Sequence, residues 1–311
     1  MYEKKVLNIS NKFFGKKKNK TFFILTHKKH DREFYLEKGN KNSLKFIKSK
    51  MDSPKKKIIY FLLKLNLLQP FLKKINLNKK MGNLIFFGGQ IKSFDFDQKI
   101  VYSFLRPLQN KNNFIKSKKN QIGFAKMNFA PKGNFFGEDK LGFKEELLKN
   151  YSGKDKDLFL RIFQFYKKSK NLKKSKKSLG KLLRKKLKEK NIRESLIFNF
   201  LNIFEKKKGD ILFTKLHGDF AKEQALIKNG KIIFTDWDFK EGPLIGDLVN
   251  FFRTENNLLQ NESFKNLLKL YPKEVQKDIF DYLIVNEIYL ILEGSPYSNI
   301  HLRTIRNLLS K

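Results

Sequence analysis

Three of the aspartates between residues 212 and 252 are spaced so that they could act together on one reaction. Asp219 follows an apolar run, and Asp236 ends a second run 17 positions later (236 − 219). Asp247 begins a predicted helix after a Gly-Pro loop. A hairpin between the two runs would bring Asp219 and Asp236 to the same edge. Phosphoryl transfer requires such a pair, because one carboxylate lies beside the attacking hydroxyl and oxygen ligands hold a metal on the phosphates.

Gln224 lies five positions after Asp219 in the same predicted loop. Its amide oxygen is a ligand type that magnesium accepts, so it could join Asp236 at a metal. Asp238 is a further carboxylate nearby, and we interpret it as solvated or as bracing the loop. A simpler interpretation of Asp219 is that it caps a turn after a strand. The shared spacing with Asp236 and Asp247 favours the chemical interpretation.

The elements around these residues follow from periodicity and turn-forming residues. Residues 212–252 are predicted as strand, loop, strand, loop and helix. Earlier in the chain, residues 83–87, 99–105 and 121–127 are predicted as three strands of an antiparallel sheet, and 141–151 as a short helix. The remaining sequence is mainly helical, which indicates an α+β protein.

Three regions are predicted along the chain. Residues 1–80 form a basic N-terminal extension with an amphipathic helix over Pro54 to Lys74, where apolar residues recur every three or four positions. We expect this helix to pack on its own domain, with a membrane surface as the alternative. Residues 81–151 form a β-rich lobe, and residues 152–311 form a helical lobe.

The sequence HGDF at 217–220, followed by TDWD at 235–238 and GPLIGDL at 242–248, resembles the aminoglycoside phosphotransferase and choline kinase group. The resemblance implies a bilobal protein-kinase-like fold, with a small antiparallel β N-lobe and a mainly helical C-lobe. It also implies an ATP-dependent kinase that uses Mg²⁺ and transfers the γ-phosphate to a hydroxyl group of a small acceptor.

The resemblance also assigns roles to single residues. Asp219 would be the catalytic aspartate, and Gln224 and Asp236 would bind magnesium. His217 and Asp247 would support the catalytic loop.

Kinases of this type hold the nucleotide with a strand lysine that is paired with a helix glutamate. Lys126, at the end of a predicted strand, is the candidate lysine, and Glu145 on the following predicted helix is its candidate partner. Glu146 is the neighbouring alternative. Gly88 and Gly89 fall where a turn over the phosphates is expected, although they lack the GxGxxG pattern.

One departure from the group bears on activity. Gln224 stands where its relatives have asparagine, and the extra methylene shifts the amide oxygen by roughly 1.5 Å on a fixed backbone. Magnesium requires near-octahedral geometry, so the change could weaken the metal site. The alternative function is therefore an inactive, pseudokinase-type scaffold that binds nucleic acid or an acidic membrane through its lysines.

Composition limits the remaining possibilities. The net charge of +38 comes almost entirely from lysine, which fits either compositional bias or a polyanion-binding role. The absence of cysteine excludes disulfides, thiolate metal sites and cysteine nucleophiles. Neither a secretory signal nor a transmembrane segment is evident, so we expect a cytoplasmic protein.

Overall fold

The chain folds into two compact units that divide after Lys149. The computed structural model describes residues 2–27, 32–48, 54–87, 91–105, 110–169, 171–237, 240–253, 255, 258–294 and 298–310. An antiparallel β unit precedes a mainly helical unit, which confirms the predicted α+β architecture.

The first unit is built on one antiparallel sheet of eight strands in the order β3-β1-β2-β4-β5-β6-β8-β7. Its strands are β1 Lys20–His27, β2 Arg32–Glu37, β3 Lys74–Leu77, β4 Leu84–Phe87, β5 Ile91–Asp95, β6 Ile100–Phe104, β7 Gly133–Phe136 and β8 Gly142–Glu146. A short strand, β9 Lys149–Asn150, lies at the boundary between the units.

Four helices accompany this sheet: α1 Tyr2–Phe14, α2 Lys41–Lys48, α3 Pro54–Lys64 and α4 Lys111–Lys126. Helix α1 places Val6 in a core that includes Phe22, Tyr35 and Phe104 from the strands. Ile47 of α2 belongs to a second buried cluster. The sheet is therefore covered by helices that bury apolar side chains.

Residues 1–80 are predicted as an extension that precedes the β-rich lobe. In the structure, strands from this stretch belong to the sheet of that lobe. Strands β1 and β2 lie inside the sheet, because β2 pairs with β4 in the register Tyr35 to Ile85. Phe22 of β1 is fully buried in the shared core. Strands β1 and β2 therefore belong to the sheet of the first unit.

The helix predicted over 54–74 is shorter than expected. Helix α3 ends at Lys64 because Asn66 adopts a left-handed backbone, with φ of 62°. The N–H of Leu67 donates to the carbonyl of Leu62, which closes the helix in a Schellman-type cap. Pro70 lies in a separate 3₁₀ turn, and only Leu63 among the described side chains of α3 is buried.

Two predictions about the β-rich lobe are wrong. Residues 121–127, predicted as a strand, are the last turns of α4 and its C-cap. The helix starts at the Asn110 cap and buries Phe114, Lys118, Gln121 and Phe124 on one face. Residues 142–146, predicted as part of a helix, form β8, which is held between β6 and β7. Pairing on both sides overrides the helix propensity of the glutamates.

The second unit combines eight helices with short strands among its described residues. The helices are α5 Asp155–Lys168, α6 Lys176–Glu189, α7 Ser195–Phe204, α8 Gly246–Phe251, α9 Glu262–Leu268, α10 Lys273–Lys277, α11 Ile279–Leu292 and α12 Ser298–Leu309. The strands are β10 Leu172–Ser175, β11 Asp210–Leu216, β12 Ala225–Lys228, β13 Lys231–Phe234 and β14 Lys240–Pro243.

Helix α11 is the centre of this unit. It buries residues on nearly all of its sides, including Tyr282, Val285 and Ile288. Strand β11 lies between β10 and β14 in a small antiparallel sheet, and β12 pairs with β13. Over the part of the chain that the structure describes, no helix is long and apolar enough to cross a membrane.

The burial of β1 in the sheet of the first unit leads to a prediction about stability. Phe22→Ala should destabilise the protein by about 3–5 kcal/mol, because it empties a fully buried ring position. The matched control is Phe71→Ala, since the ring of Phe71 is 84% exposed, and it should change stability by less than about 0.5 kcal/mol. Urea unfolding followed by circular dichroism measures both. Equal, small effects would show that β1 is not part of the core.

Candidate active site

A tight hairpin in the second unit fixes one side of the candidate site. Strands β12 and β13 are joined by Asn229 and Gly230, which have φ of 49° and 72°. Asn-Gly with two positive φ angles is the preferred type I′ hairpin turn. At the open end of the hairpin the N–H of Thr235 donates to the carbonyl of Gln224 at 3.0 Å. The hairpin therefore pairs Gln224 with Thr235, the residue that immediately precedes Asp236.

The loop after β11 forms the other side. It contains His217, Gly218 and Asp219, and Gly218 has φ of 93°, a backbone conformation that favours glycine. Asn250 of α8 donates from Nδ2 to the carbonyl of Gly218 at 2.9 Å. The loop is thus held from the following helix as well as from its own strand.

Asp247, the second residue of α8, organises this loop. Its side chain is fully buried, and Oδ2 accepts the backbone N–H of His217 at 2.8 Å while Oδ1 accepts that of Gly218 at 3.0 Å. The hydroxyl of Tyr166 donates to Oδ2 at 2.6 Å. Burial raises the pKa of Tyr166 well above its ordinary value, so this hydroxyl keeps its proton and remains a donor. These contacts are of the kind expected for a residue that supports the loop.

His217 connects the loop to the end of β13. Its ring is completely buried, and Nε2 lies 2.8 Å from the carbonyl oxygen of Thr235, so Nε2 carries the proton and donates it. Burial lowers the pKa of His217 below its ordinary value despite the nearby aspartates. Trp237 packs against the imidazole, with ring centroids 4.6 Å apart. The histidine is neutral, and its contacts hold the loop against the hairpin.

Asp219 and Gln224 contact each other directly. The Nε2 of Gln224 donates to Oδ2 of Asp219 at 3.1 Å, and the Oε1 of Gln224 accepts the N–H of Ala221 at 3.0 Å. The second contact requires an oxygen, so it fixes the orientation of the amide. The longer side chain of glutamine, compared with asparagine, allows it to reach back over its own turn, as the third residue of a capping box does.

The sequence analysis missed Arg253 and Asn250. The Nη1 of Arg253 lies 2.8 Å from Oδ1 of Asp219, so the aspartate is engaged on both oxygens. Asp247, Asn250 and Arg253 recur every three residues through a mostly apolar stretch. That spacing puts polar groups on one side of a helix, and it is the signal that could have identified both residues.

Asp236 has an unusual backbone for a residue with a side chain. Its φ is 58°, in the left-handed region that Asn and Asp tolerate best. Such positions cost of order 1–3 kcal/mol and cluster at functional sites. Asp236 directly follows Thr235, whose backbone contacts both Gln224 and His217.

The donor chemistry at the end of the hairpin fits a hard cation such as Mg²⁺. Asp236 offers a carboxylate, and Oε1 of Gln224 has a second lone pair beyond the one that accepts from Ala221. No group of three or more His, Cys, Asp or Glu side chains that could hold a metal is found among the described residues. A metal here would therefore rely on an amide and on ligands from outside the protein.

The first unit contains a separate buried polar cluster, consisting of Lys118, Gln121 and Glu145. The Nζ of Lys118 donates to Oε1 of Gln121 at 3.2 Å, and Nε2 of Gln121 donates to Glu145. The ammonium group also lies 5.0 Å from the centre of the Phe143 ring. The lysine is on α4 and the carboxylate on β8, the reverse of the predicted strand lysine and helix glutamate.

The predicted residues of this unit are thus placed differently from expectation. Lys126 is the exposed last residue of α4 and does not lie on a strand. Glu145 is buried on β8 and contacts Gln121. Gly88 and Gly89 lie outside the described residues. The sequence signal for Lys118 is its place in the series Phe114, Lys118, Gln121 and Phe124, which has helical spacing.

The contacts of Asp247 lead to a prediction about how much its carboxylate contributes to the free energy of unfolding. Asp247→Asn replaces one accepting oxygen by an NH₂ group that faces N–H donors, and it should destabilise the protein by about 2–4 kcal/mol. Tyr166→Phe removes only one donor from the same carboxylate and should cost about 1 kcal/mol. Trp237, the single tryptophan, reports unfolding of this region by fluorescence. A smaller loss for Asp247→Asn than for Tyr166→Phe would contradict the central role of the carboxylate.

The buried imidazole leads to a pH prediction. Because the pKa of His217 is lowered in the folded state, the unfolded chain takes up a proton below pH 6.5 that the folded chain does not. Stability should therefore fall as pH drops below about 6.5, with this residue contributing up to about 1.4 kcal/mol per pH unit. Urea unfolding between pH 7.5 and 5.5 should show a shallower slope in His217→Gln. Identical slopes would mean that the pKa of His217 is not lowered in the folded protein.

Comparison with known proteins returns matches from solved structures. No protein-family model matches the sequence, and no curated protein matches it either. Choline kinase from Streptococcus pneumoniae has a TM-score of 0.47 at 14% identity, over 71% of this chain and 90% of that one. A choline/ethanolamine kinase family protein from Mesorhizobium loti has a TM-score of 0.42 at 11% identity, over 74% and 86%.

An amicoumacin kinase, solved with AMP-PNP, Ca²⁺ and amicoumacin, has a TM-score of 0.41 at 12% identity, over 71% of this chain and 85% of its own. These structures include members of the group that the HGDF and TDWD sequences resemble. All three TM-scores are below 0.5.

Proposed function

We propose that the protein is an ATP-dependent kinase that transfers the γ-phosphate of ATP to a hydroxyl group of a small molecule. The observation that carries the proposal is the double hydrogen bond from the His217 and Gly218 backbone to the buried Asp247. It holds Asp219 next to the hairpin end that carries Gln224 and Asp236. Phosphoryl transfer depends mainly on positioning of this kind and on electrostatic stabilisation.

Asp219 would accept the proton of the attacking hydroxyl through Oδ1. Oδ2 is held by Gln224, whose amide is in turn fixed by the N–H of Ala221. The partner of Oδ1, Arg253, is 62% exposed, so its guanidinium can leave for solvent or for a phosphate oxygen. The hydroxyl oxygen of the acceptor would then form a bond to the γ-phosphorus, and its proton would pass to Oδ1 of Asp219. The bond between the γ-phosphorus and ADP would break, and ADP would leave.

Asp236 and Oε1 of Gln224 are the residues that would hold Mg²⁺. When bound, the ion would neutralise charge on the ATP phosphates. The left-handed backbone of Asp236 is consistent with a strained position kept for function.

In the first unit, Lys118 is a stronger candidate than Lys126 for the cation that faces the nucleotide phosphates. Lys118 is buried and shares Gln121 with Glu145, whereas Lys126 is exposed at the end of the same helix. A lysine held by a carboxylate through a hydrogen-bonded partner is pre-organised, and an exposed lysine is not.

The alternative function is a weakly active or inactive scaffold. The orientation of the Gln224 amide favours it. The amide nitrogen, a donor that cannot bind a metal ion, faces Asp219, and the amide oxygen accepts the N–H of Ala221. A nucleotide-binding measurement separates the two possibilities without requiring the identity of the acceptor.

The test is the shift in melting temperature on adding Mg²⁺ and ATP. At 100 times the dissociation constant, binding adds about 2.7 kcal/mol to stability, and the wild type should show a clear shift that requires Mg²⁺. Asp236→Ala should lose it, because a metal ligand is removed. Absence of a Mg²⁺-dependent shift in the wild type would contradict the kinase proposal.

Two lysine variants on α4 provide a matched comparison. Lys118→Met should reduce the nucleotide-induced shift, and Lys126→Met should leave it unchanged. Each shift is measured against the same variant without nucleotide, so any intrinsic loss of stability cancels. Equal shifts in the two variants would show that Lys118 does not contribute to nucleotide binding. They would not affect the proposed role of Asp236.

A further inference from the structure

Helix α3 and the turn after it expose a dense apolar surface on the first unit. Six large side chains between residues 58 and 71 have exposed fractions of 42% to 84%, and we call them the α3 surface: Ile58, Ile59, Phe61, Leu65, Leu67 and Phe71. Single exposed apolar residues are normal, but six large exposed apolar side chains within one short segment are a concentration typical of an interaction site.

The stretch of sequence that forms this surface carries charge of one sign. Between Asp52 and Asp95 the sequence has nine lysines and no acidic residue. Lys57 and Lys64 are exposed on α3 itself, and Lys73 and Lys74 are exposed just after the 3₁₀ turn. Whatever covers the apolar side chains must therefore also accommodate a set of positive charges.

A second copy of this chain does not meet that requirement. Placing two α3 surfaces face to face would bring Lys57 and Lys64 of each copy together, and the carboxylate of Glu3, which lies beside Lys73, is already paired with that lysine at 2.6 Å. The shape also argues against a closed groove, because Phe71 is the most exposed of the six and lies in a 3₁₀ turn beyond the helix.

We infer that the α3 surface binds to the surface of an anionic lipid bilayer. Helix α3 has 11 residues and is about 16 Å long, which is too short to span a bilayer but sufficient to lie along its interface. The aromatic and aliphatic side chains enter the headgroup region while the flanking lysines contact anionic headgroups. The sequence alone had favoured packing within the domain, but only Leu63 of the described α3 side chains is buried.

This inference does not depend on kinase activity. It concerns only the first unit, and it assigns a location to the protein rather than a substrate.

The test is co-sedimentation of the full chain with vesicles in about 0.15 M salt. The protein should bind vesicles in which roughly a third of the lipid is phosphatidylserine and not vesicles of phosphatidylcholine alone. The double variant Phe61→Ser with Phe71→Ser keeps every charge and should weaken binding at least about tenfold. Failure of the wild type to bind the anionic vesicles would overturn the inference.

A matched double variant controls for surface hydrophobicity in general. Ile203→Ser with Ile300→Ser removes two similarly exposed apolar side chains from the second unit, and binding should be unchanged. If both serine pairs bound as the wild type does, the attraction would reflect only the overall charge of +38, and the inference would be wrong.

A spectroscopic readout follows insertion itself. Trp237 is the only tryptophan and is buried, so it contributes a constant background. The indole introduced by Phe71→Trp should shift its emission to the blue on addition of anionic vesicles and be quenched by brominated lipid. Sedimentation without quenching would mean purely electrostatic adsorption, which contradicts insertion of the α3 surface.

Discussion

The candidate site depends on one buried carboxylate. Asp247 has no exposed surface, so its charge must be balanced by donors, and the backbone of His217 and Gly218 together with the Tyr166 hydroxyl supplies them. Because two of those donors belong to the loop that carries Asp219, the cost of burying the carboxylate is linked to the position of that loop. Losing the loop conformation would leave a charge buried without partners.

The glutamine at position 224 changes the interpretation of the candidate metal site. In the sequence, Gln224 is one methylene longer than the asparagine of the group that the sequence resembles. In the structure the added methylene places the amide over the Ala221 N–H and against Asp219. The side chain therefore works first as a structural link between the loop of Asp219 and the hairpin, and only its remaining lone pair is left for a cation. The Arg253 guanidinium supplies positive charge to Asp219 from the other side.

The second unit was more predictable from sequence than the first, for physical reasons. Its site is formed by consecutive elements, and the Asn229-Gly230 turn fixes their register locally. In the first unit, half of the buried face of α4 is polar, as Lys118 and Gln121 show, so apolar periodicity does not reveal the helix. Strand β8 is a strand because it is paired on both sides, and that non-local information is not contained in residues 142–146.

Electron paramagnetic resonance of Mn²⁺, used in place of Mg²⁺ with ATP, measures whether Asp247 creates the proposed metal–nucleotide site by holding the loop, without touching the metal. Wild type should bind Mn²⁺–ATP, Asp236→Ala should lose binding through loss of a ligand, and folded Asp247→Asn should bind at least about tenfold more weakly, a loss of about 1.4 kcal/mol. Unchanged Mn²⁺–ATP binding by folded Asp247→Asn would show that the site forms without the contacts of Asp247.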